Sequence, residues 1–149
     1  MLDHAWLAAR LPHQADMCLL DTVDDWSAER ILCRATSHRR SDHPLRADGR
    51  LGAAGAVEYA AQAMAAHGAL LAGSDGRPRA GYLVSLRSVD LAVERLDDVA
   101  DDLEIVAERL SGDGNNVLYA FAVRADGRPL ATGRAAVILD AGALPAEPA

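Results

Sequence analysis

From Glu29 to Thr36, ERILCRAT, apolar and polar positions alternate. Ile31, Cys33 and Ala35 fall on one side and Arg30, Leu32 and Arg34 on the other, the period-two pattern of a half-buried strand. Met17 to Val23, MCLLDTV, precedes it as a second strand, and Asp24-Asp25 between them predicts the turn of a hairpin. The pattern then changes. Ser37 to Arg50 is polar, with Pro44 and Gly49 as breakers, and reads as a loop. Leu51 to Leu71, LGAAGAVEYAAQAMAAHGALL, carries a single charge, Glu58. Alanine, leucine and methionine favour a helix there, against which Gly52, Gly55 and Gly68 act. On helical spacing Leu51, Ala54, Gly55, Ala61, Gln62 and Ala65 share a face with Glu58, which sets a carboxylate in a surface of small residues. A charge in apolar surroundings needs a partner, a proton or a task, so Glu58 is the first residue to explain.

The flanking segments complete the pattern. Residues 3 to 10, DHAWLAAR, predict a short helix ended by Pro12, and GSDGRP at 73 to 78 an exposed turn. Gly81 to Leu96 predicts a long strand bent near Arg87-Ser88. Asp102 to Leu110 is a strand if its neighbours are, SGDGNN at 111 to 116 a turn, and Val117 to Arg124 a strand. ADGR at 125 to 128 is an Asp-Gly hairpin turn before a last strand, Pro129 to Asp140. Two strands, one long apolar helix and four strands in a meander give an α+β domain over residues 1–140, with a curved antiparallel sheet able to wrap the helix. Residues 141–149, AGALPAEPA, read as a disordered tail.

Composition narrows the function. The 149 residues suffice for one domain with a real core. A net charge of −7 argues against nucleic acid as the main partner. Every basic residue is arginine, which removes Schiff-base chemistry and the phosphate-loop lysine. Cys18 and Cys33 lack metal-site spacing, and the chain start lacks the pattern of a secretory signal, so a cytoplasmic protein with reduced thiols is expected. The glycines, Gln62 and His67 argue against a membrane span for the central helix. No metal or organic cofactor is indicated.

Motifs in order then carry a resemblance. LPHQADMCLLDTV at 11 to 23 resembles the opening of the 3-hydroxyacyl-acyl-carrier-protein dehydratases, a Leu-Pro-His segment followed by an apolar run ending in Leu-Val-Asp-Arg-Val. Glu58-Tyr59-Ala60-Ala61-Gln62 is similar to that family's helix motif of Glu, three residues, Gln, and AVRADGRPLATGRAAV at 122 to 137 to its last hairpin. Pro-Leu-Arg-Ala-Asp-Gly-Arg-Leu at 44 to 51 resembles a variant branch found with aryl-polyene pathways. The resemblance spans residues 11 to 139 and implies the hot-dog fold, with dehydration of a 3-hydroxyacyl thioester to the trans-2-enoyl thioester.

In that family a histidine removes the C2 proton, a carboxylic acid on the central helix helps the 3-hydroxyl depart, and backbone N–H groups at the helix start polarise the thioester carbonyl. By resemblance Glu58 is the acid and His43 the base, fifteen residues before it. Gly52 is the oxyanion glycine, with Ala53 as competitor, and Gln62 is the motif's polar partner at the substrate site. His38 is the alternative base, His13 a loop or capping residue, and His67 a packing residue. The chain departs from the family in having His43-Pro44-Leu45-Arg46 for His-Phe-Pro-Gly and no Pro-Gly at the helix start.

The resemblance also implies a site shared between two subunits, in a homodimer or a mixed dimer, with the histidine of one facing the acid of the other. Its substrate thioester is carried on acyl carrier protein or coenzyme A, with no nucleic acid or membrane partner. Arg39, Arg40, Arg46 and Arg50, with Arg77 and Arg79, form the expected patch for an acidic carrier. A non-catalytic partner subunit and a hot-dog thioesterase are the alternatives.

Overall fold

A computed structural model describes residues 1–11, 17–72, 82–112 and 116–138. Helix α1, His4–Arg10, is capped by Asp3, whose carboxylate accepts the Trp6 N–H at 2.9 Å. Strands β1 (Thr22–Trp26) and β2 (Arg30–Ala35) precede helix α2 (Ala56–Leu71); β3 (Tyr82–Leu91), β4 (Leu103–Gly112), β5 (Asn116–Ala125) and β6 (Arg128–Ile138) follow it. The strands form one antiparallel sheet in the order β1-β2-β4-β5-β6-β3, and α2 packs on β2, β4, β5 and β6. This is the α+β, helix-against-sheet arrangement of the hot-dog fold.

The alternation along the strands decides which face meets the helix. Ile31, Cys33 and Ala35 of β2, Leu103, Ile105 and Ala107 of β4, and Val117, Tyr119, Phe121 and Val123 of β5 are all buried. From α2, Ala56, Tyr59, Ala60, Ala63, Met64 and Ala66 join them in one core. Alanine at so many helix positions lets the sheet approach closely. Cys18 and Cys33 are free, buried thiols, and burial pushes the Cys33 thiol up to about 12.

Several expected boundaries move, each for a local reason. The first strand begins at Thr22 and runs through Asp24-Asp25 to Trp26, so the turn lies at 27–29. A bulge between Val23 and Asp25 lets this edge strand carry the acidic pair, and Asp24 accepts from Arg34 and Thr22. The central helix proper starts at Ala56, after a single 3₁₀ turn over Ala53–Gly55. Residues 51–53 instead pair with 94–96: the Leu96 N–H donates to the Leu51 carbonyl and the Ala53 N–H to the Glu94 carbonyl, at 2.8 and 3.0 Å. That pairing also ends β3 at Leu91, short of the expected Leu96.

The last four strands are not a simple meander. β3 pairs with β6 at the far edge, and residues 92–102 carry the chain back past the helix start to β4 in the middle of the sheet. The expected bend falls where a bulge between Arg87 and Asp90 coincides with Ser88 at φ 54°. The Asp-Gly turn is as expected, with Asp126 and Gly127 at φ 50° and 74°, the left-handed pair that matches strand twist. The helix stop at Pro12, His13, the 73–78 turn, the centre of the 111–116 turn, the arginines at 77 and 79, and the 141–149 tail lie outside the described residues.

Candidate functional site

The start of α2 is where chain segments distant in sequence converge. Gly52 is exposed and extended, at φ −65°, ψ 155°. A Cβ added there would meet nothing within 4 Å, so neither conformation nor internal packing requires glycine. Its neighbour Ala53 has already given its N–H to Glu94, whereas among the described residues the Gly52 N–H has no acceptor. Of the two expected oxyanion donors, Gly52 is therefore the one left open. The Leu51 N–H before it is held by the Asp97 carboxylate at 2.9 Å. The same carboxylate takes Arg95, whose guanidinium holds it well below the usual carboxylate range, and stands 3.8 Å from Arg46.

Glu58 lies in the first turn of α2, on its least buried side, with Ala54, Gly55, Ala61 and Ala65. It is half-buried rather than enclosed in the core. Gln62, one turn on, donates Nε2–H to Glu58 Oε1 at 3.2 Å and to the Met17 carbonyl at 2.6 Å, and its Oε1 accepts the Leu19 N–H at 2.8 Å. The amide of Gln62 is thus committed to orienting Glu58 and clamping residues 17–19 to the helix.

The 37–50 loop is largely exposed, as its polar composition leads one to expect, but its two histidines are buried. His43 is only 4% exposed. Its Nδ1 accepts the Leu45 N–H at 3.0 Å, so the ring proton sits on Nε2 and is donated to the Tyr59 hydroxyl, also at 3.0 Å. At the other end, Ser37 Oγ–H donates to the Leu19 carbonyl at 2.8 Å, so Tyr59 donates to Ser37, at 2.6 Å. Hydrogen bonds at both ends therefore fix one direction along the chain Leu45, His43, Tyr59, Ser37, Leu19. Burial lowers the His43 pKa, and the nearby cations Arg46 and Arg40 lower it further.

His38 is also buried. Its Nε2–H donates to the Val99 carbonyl at 3.0 Å, and Nδ1 is enclosed without a partner among the described residues. Burial lowers its pKa too. His67, at the far end of α2, donates Nε2–H to the Ser27 carbonyl and accepts from the Tyr119 hydroxyl, both at 2.7 Å. It packs in the core, away from the helix start.

The structure thus brings Glu58 to Gln62 and His43 to Tyr59, on adjacent sides of the first turns of α2. Within the chain it shows no hydrogen bond between His43 and Glu58 among the described residues. Ser37, Tyr59 and Asp97 are parts of this site that sequence reasoning passes over. For Tyr59 a signal existed, a single aromatic hydroxyl in an alanine-rich helix. Asp97 was hidden among the acidic residues of LDDVADD.

The expected basic patch is largely engaged. Arg39 holds the Ala100 carbonyl and Asp102, Arg40 pairs with Asp42, and Arg46 holds the Gly49 carbonyl at 2.9 Å. Among the described loop arginines, Arg50 is exposed and without such a partner. No described group of His, Cys, Asp and Glu forms a metal-binding cluster, and no helix among the described residues is long and apolar enough to cross a membrane.

Comparison with known proteins gives a consistent picture. The sequence profile of the ApeP-like family, described as ApeP dehydratase, matches residues 6–143. Among solved structures, the dehydratase heterocomplex ApeI:P from Xenorhabdus doucetiae is similar at 26% identity and TM-score 0.80, over 93% of this chain and 91% of that one. A mutant of the thioesterase PA1618 from Pseudomonas aeruginosa shares the fold at 14% identity and TM-score 0.64, over 91% of this chain and 92% of that one. Zebra fish thioesterase superfamily member 2 does so at 14% identity and TM-score 0.63, over the same 91% and 92%. No curated protein matches the sequence.

Proposed function

Because the chain belongs to the ApeP-like dehydratase family, we propose that it eliminates water from a 3-hydroxyacyl thioester, carried on acyl carrier protein or coenzyme A, in a fatty-acid-like or polyene pathway. The observation that carries the reading is the open Gly52 N–H, at the same helix start as a half-buried carboxylate that Gln62 orients. Elimination needs two things of this surface. Charge that builds on the thioester oxygen as the C2 proton leaves is stabilised by the Gly52 amide and the positive end of α2. The departing 3-hydroxyl takes a proton from Glu58, beside which Ala54, Ala61 and Ala65 offer small side chains for an acyl chain to lie over.

The base comes from a second subunit in this reading. The neighbouring structure is a dehydratase heterocomplex, ApeI:P, and the family resemblance implies a histidine of one subunit facing the acid of the other. The two sheet edges support a specific mode of pairing. β1 carries Asp24 and Asp25 and a bulge, devices that discourage edge pairing. β3 is bulged as well, between Leu83 and Ser85 and between Arg87 and Asp90, but it leaves Leu86, Val89 and Leu91 40%, 39% and 41% exposed. A partner strand along β3 would cover them.

The test is dehydration, and the reverse hydration, of a short 3-hydroxyacyl thioester by the purified chain and its Glu58→Gln variant. Loss of about 10²–10⁴-fold in the variant, the usual contribution of a general acid, supports the assignment. Turnover only after a second hot-dog dehydratase subunit is added supports the shared site. Thioester hydrolysis without dehydration would replace this reading by a thioesterase.

A further inference from the structure

We propose that His43 is a positioning residue that works through Tyr59, and that it takes no proton from substrate. The inference rests on the dehydratase reading but deepens it, since it removes the histidine that sequence position marks as the base and assigns a role to a tyrosine that position does not mark.

Lone pairs decide the matter. A general base needs a nitrogen lone pair within reach of the substrate, and a neutral imidazole has one. In His43 that lone pair, on Nδ1, already accepts the Leu45 N–H, and the other nitrogen carries the proton given to Tyr59. Protonating the ring would set two N–H groups against each other at Nδ1. Nor can the ring flip to expose a nitrogen, because Tyr59 cannot compensate. Its own proton is held by Ser37, whose proton in turn is held by the Leu19 carbonyl. Every donor in the row has one acceptor, and reversing one bond reverses all of them.

The charges around the ring act in the same sense. Arg40 and Arg46 from its own loop and His38 from the preceding turn disfavour a cation, while Asp42 alone opposes them; from α2 the facing group is the Tyr59 hydroxyl, itself fully buried. His38 keeps a lone pair but is wholly enclosed, so no substrate atom reaches it in this conformation.

What the row does instead is mechanical. It ties three segments to α2 at the level of its first turn: the 43–45 loop through His43, the end of β2 through Ser37, and residues 17–20 through the Leu19 carbonyl. Gln62 grips the other side of the same Leu19 residue, through its N–H, and also holds Glu58. Tyr59 is the hub, adjacent in sequence to the acid. A consequence for a mixed dimer is that the site containing this chain's His43 lacks a base, leaving the site containing its Glu58 as the working one.

Two measurements test this. In the folded wild-type protein, the ¹⁵N resonances of the His43 ring are expected to report an Nε2–H tautomer that does not titrate between about pH 5 and 8. An Nδ1–H tautomer, or titration in that range, overturns the proposal, and this readout needs no activity. In kinetics, His43→Gln and Tyr59→Phe are expected to lower kcat/KM by equal factors, with the double variant no worse than either, and to leave the acid limb of the pH profile in place. A loss of about 10²–10⁴-fold confined to His43→Gln, with that limb gone and Tyr59→Phe at the wild-type rate, would make His43 the base after all. If the wild type turns over no 3-hydroxyacyl thioester even with a second hot-dog dehydratase subunit present, the dehydratase reading fails, while the resonances still decide the state of His43.

Discussion

Gly52 separates chemistry from folding more cleanly than any other position. Its backbone is extended and its surroundings are open, so an added methyl group disturbs nothing inside the chain. Gly52→Ala should keep its unfolding free energy within about 0.5 kcal/mol of wild type, as expected for a surface change away from strained or packed features. If the amide meets a thioester oxygen, the same variant should lose kcat/KM, because the methyl group crowds the approach. Denaturant unfolding and initial rates measured side by side check this, and unchanged rates would remove the amide from the site. Gly133 is the opposite case. A Cβ there would come within 2.8 Å of the Phe121 ring, so that glycine is fixed by packing alone. Of the site residues, Glu58 stood out in the sequence because it was the one charge in its apolar run. His43 also stood out, but what its nitrogens touch depends on Leu45 and Tyr59, and no spacing rule contains that.

At the scale of the element, α2 is held at both ends by a buried histidine and a tyrosine. At its start the pair is His43 with Tyr59; at its far end His67 accepts from Tyr119 and donates to Ser27. Burial depresses the pKa of His38, His43 and His67 in the folded chain. Near neutral pH both the folded and unfolded states leave these rings neutral, whereas below about 6.5 the unfolded chain takes up protons that the folded chain resists. Stability should therefore fall as pH drops through that value, which thermal unfolding across a pH series would show. A flat midpoint would contradict the buried neutral rings. Tyr119→Phe leaves His67 Nδ1 without a donor and should cost about 1–3 kcal/mol, measurable by denaturant unfolding. The helix itself was legible from its run of alanines, but its first turn was not. Helix propensity favours starting at Leu51, yet the backbone of 51–53 is bonded to 94–96, a segment far along the chain.

For the whole molecule, the unpaired edge is the informative feature. Leu86 lies on β3, the strand proposed to meet a second subunit, and is far in sequence from the residues at the helix start. In Leu86→Glu, self-association, or assembly with a dehydratase partner, should weaken while the folded monomer persists. Sedimentation velocity with circular dichroism checks it, and unchanged association would move the interface elsewhere.

What the sequence by itself determined is what local chemistry dictates. Period-two alternation marked β2, apolar runs on either side of a turn marked β5 and β6, the Asp-Gly pair formed the left-handed hairpin turn, and the order of motifs pointed to a hot-dog dehydratase. These features depend on neighbours a few residues apart, or on a motif order that one chain carries whole. Tertiary structure decided the rest. It sent β3 to the far edge of the sheet, because residues 92–102 run past the helix start on their way back to β4. It buried a histidine within a loop rich in charge, because arginines and aspartates there pair with one another and with backbone carbonyls. It also engaged both nitrogens of His43, since hydrogen-bond direction is settled only when donors and acceptors from Leu19, Ser37, Leu45 and Tyr59 are brought together in space.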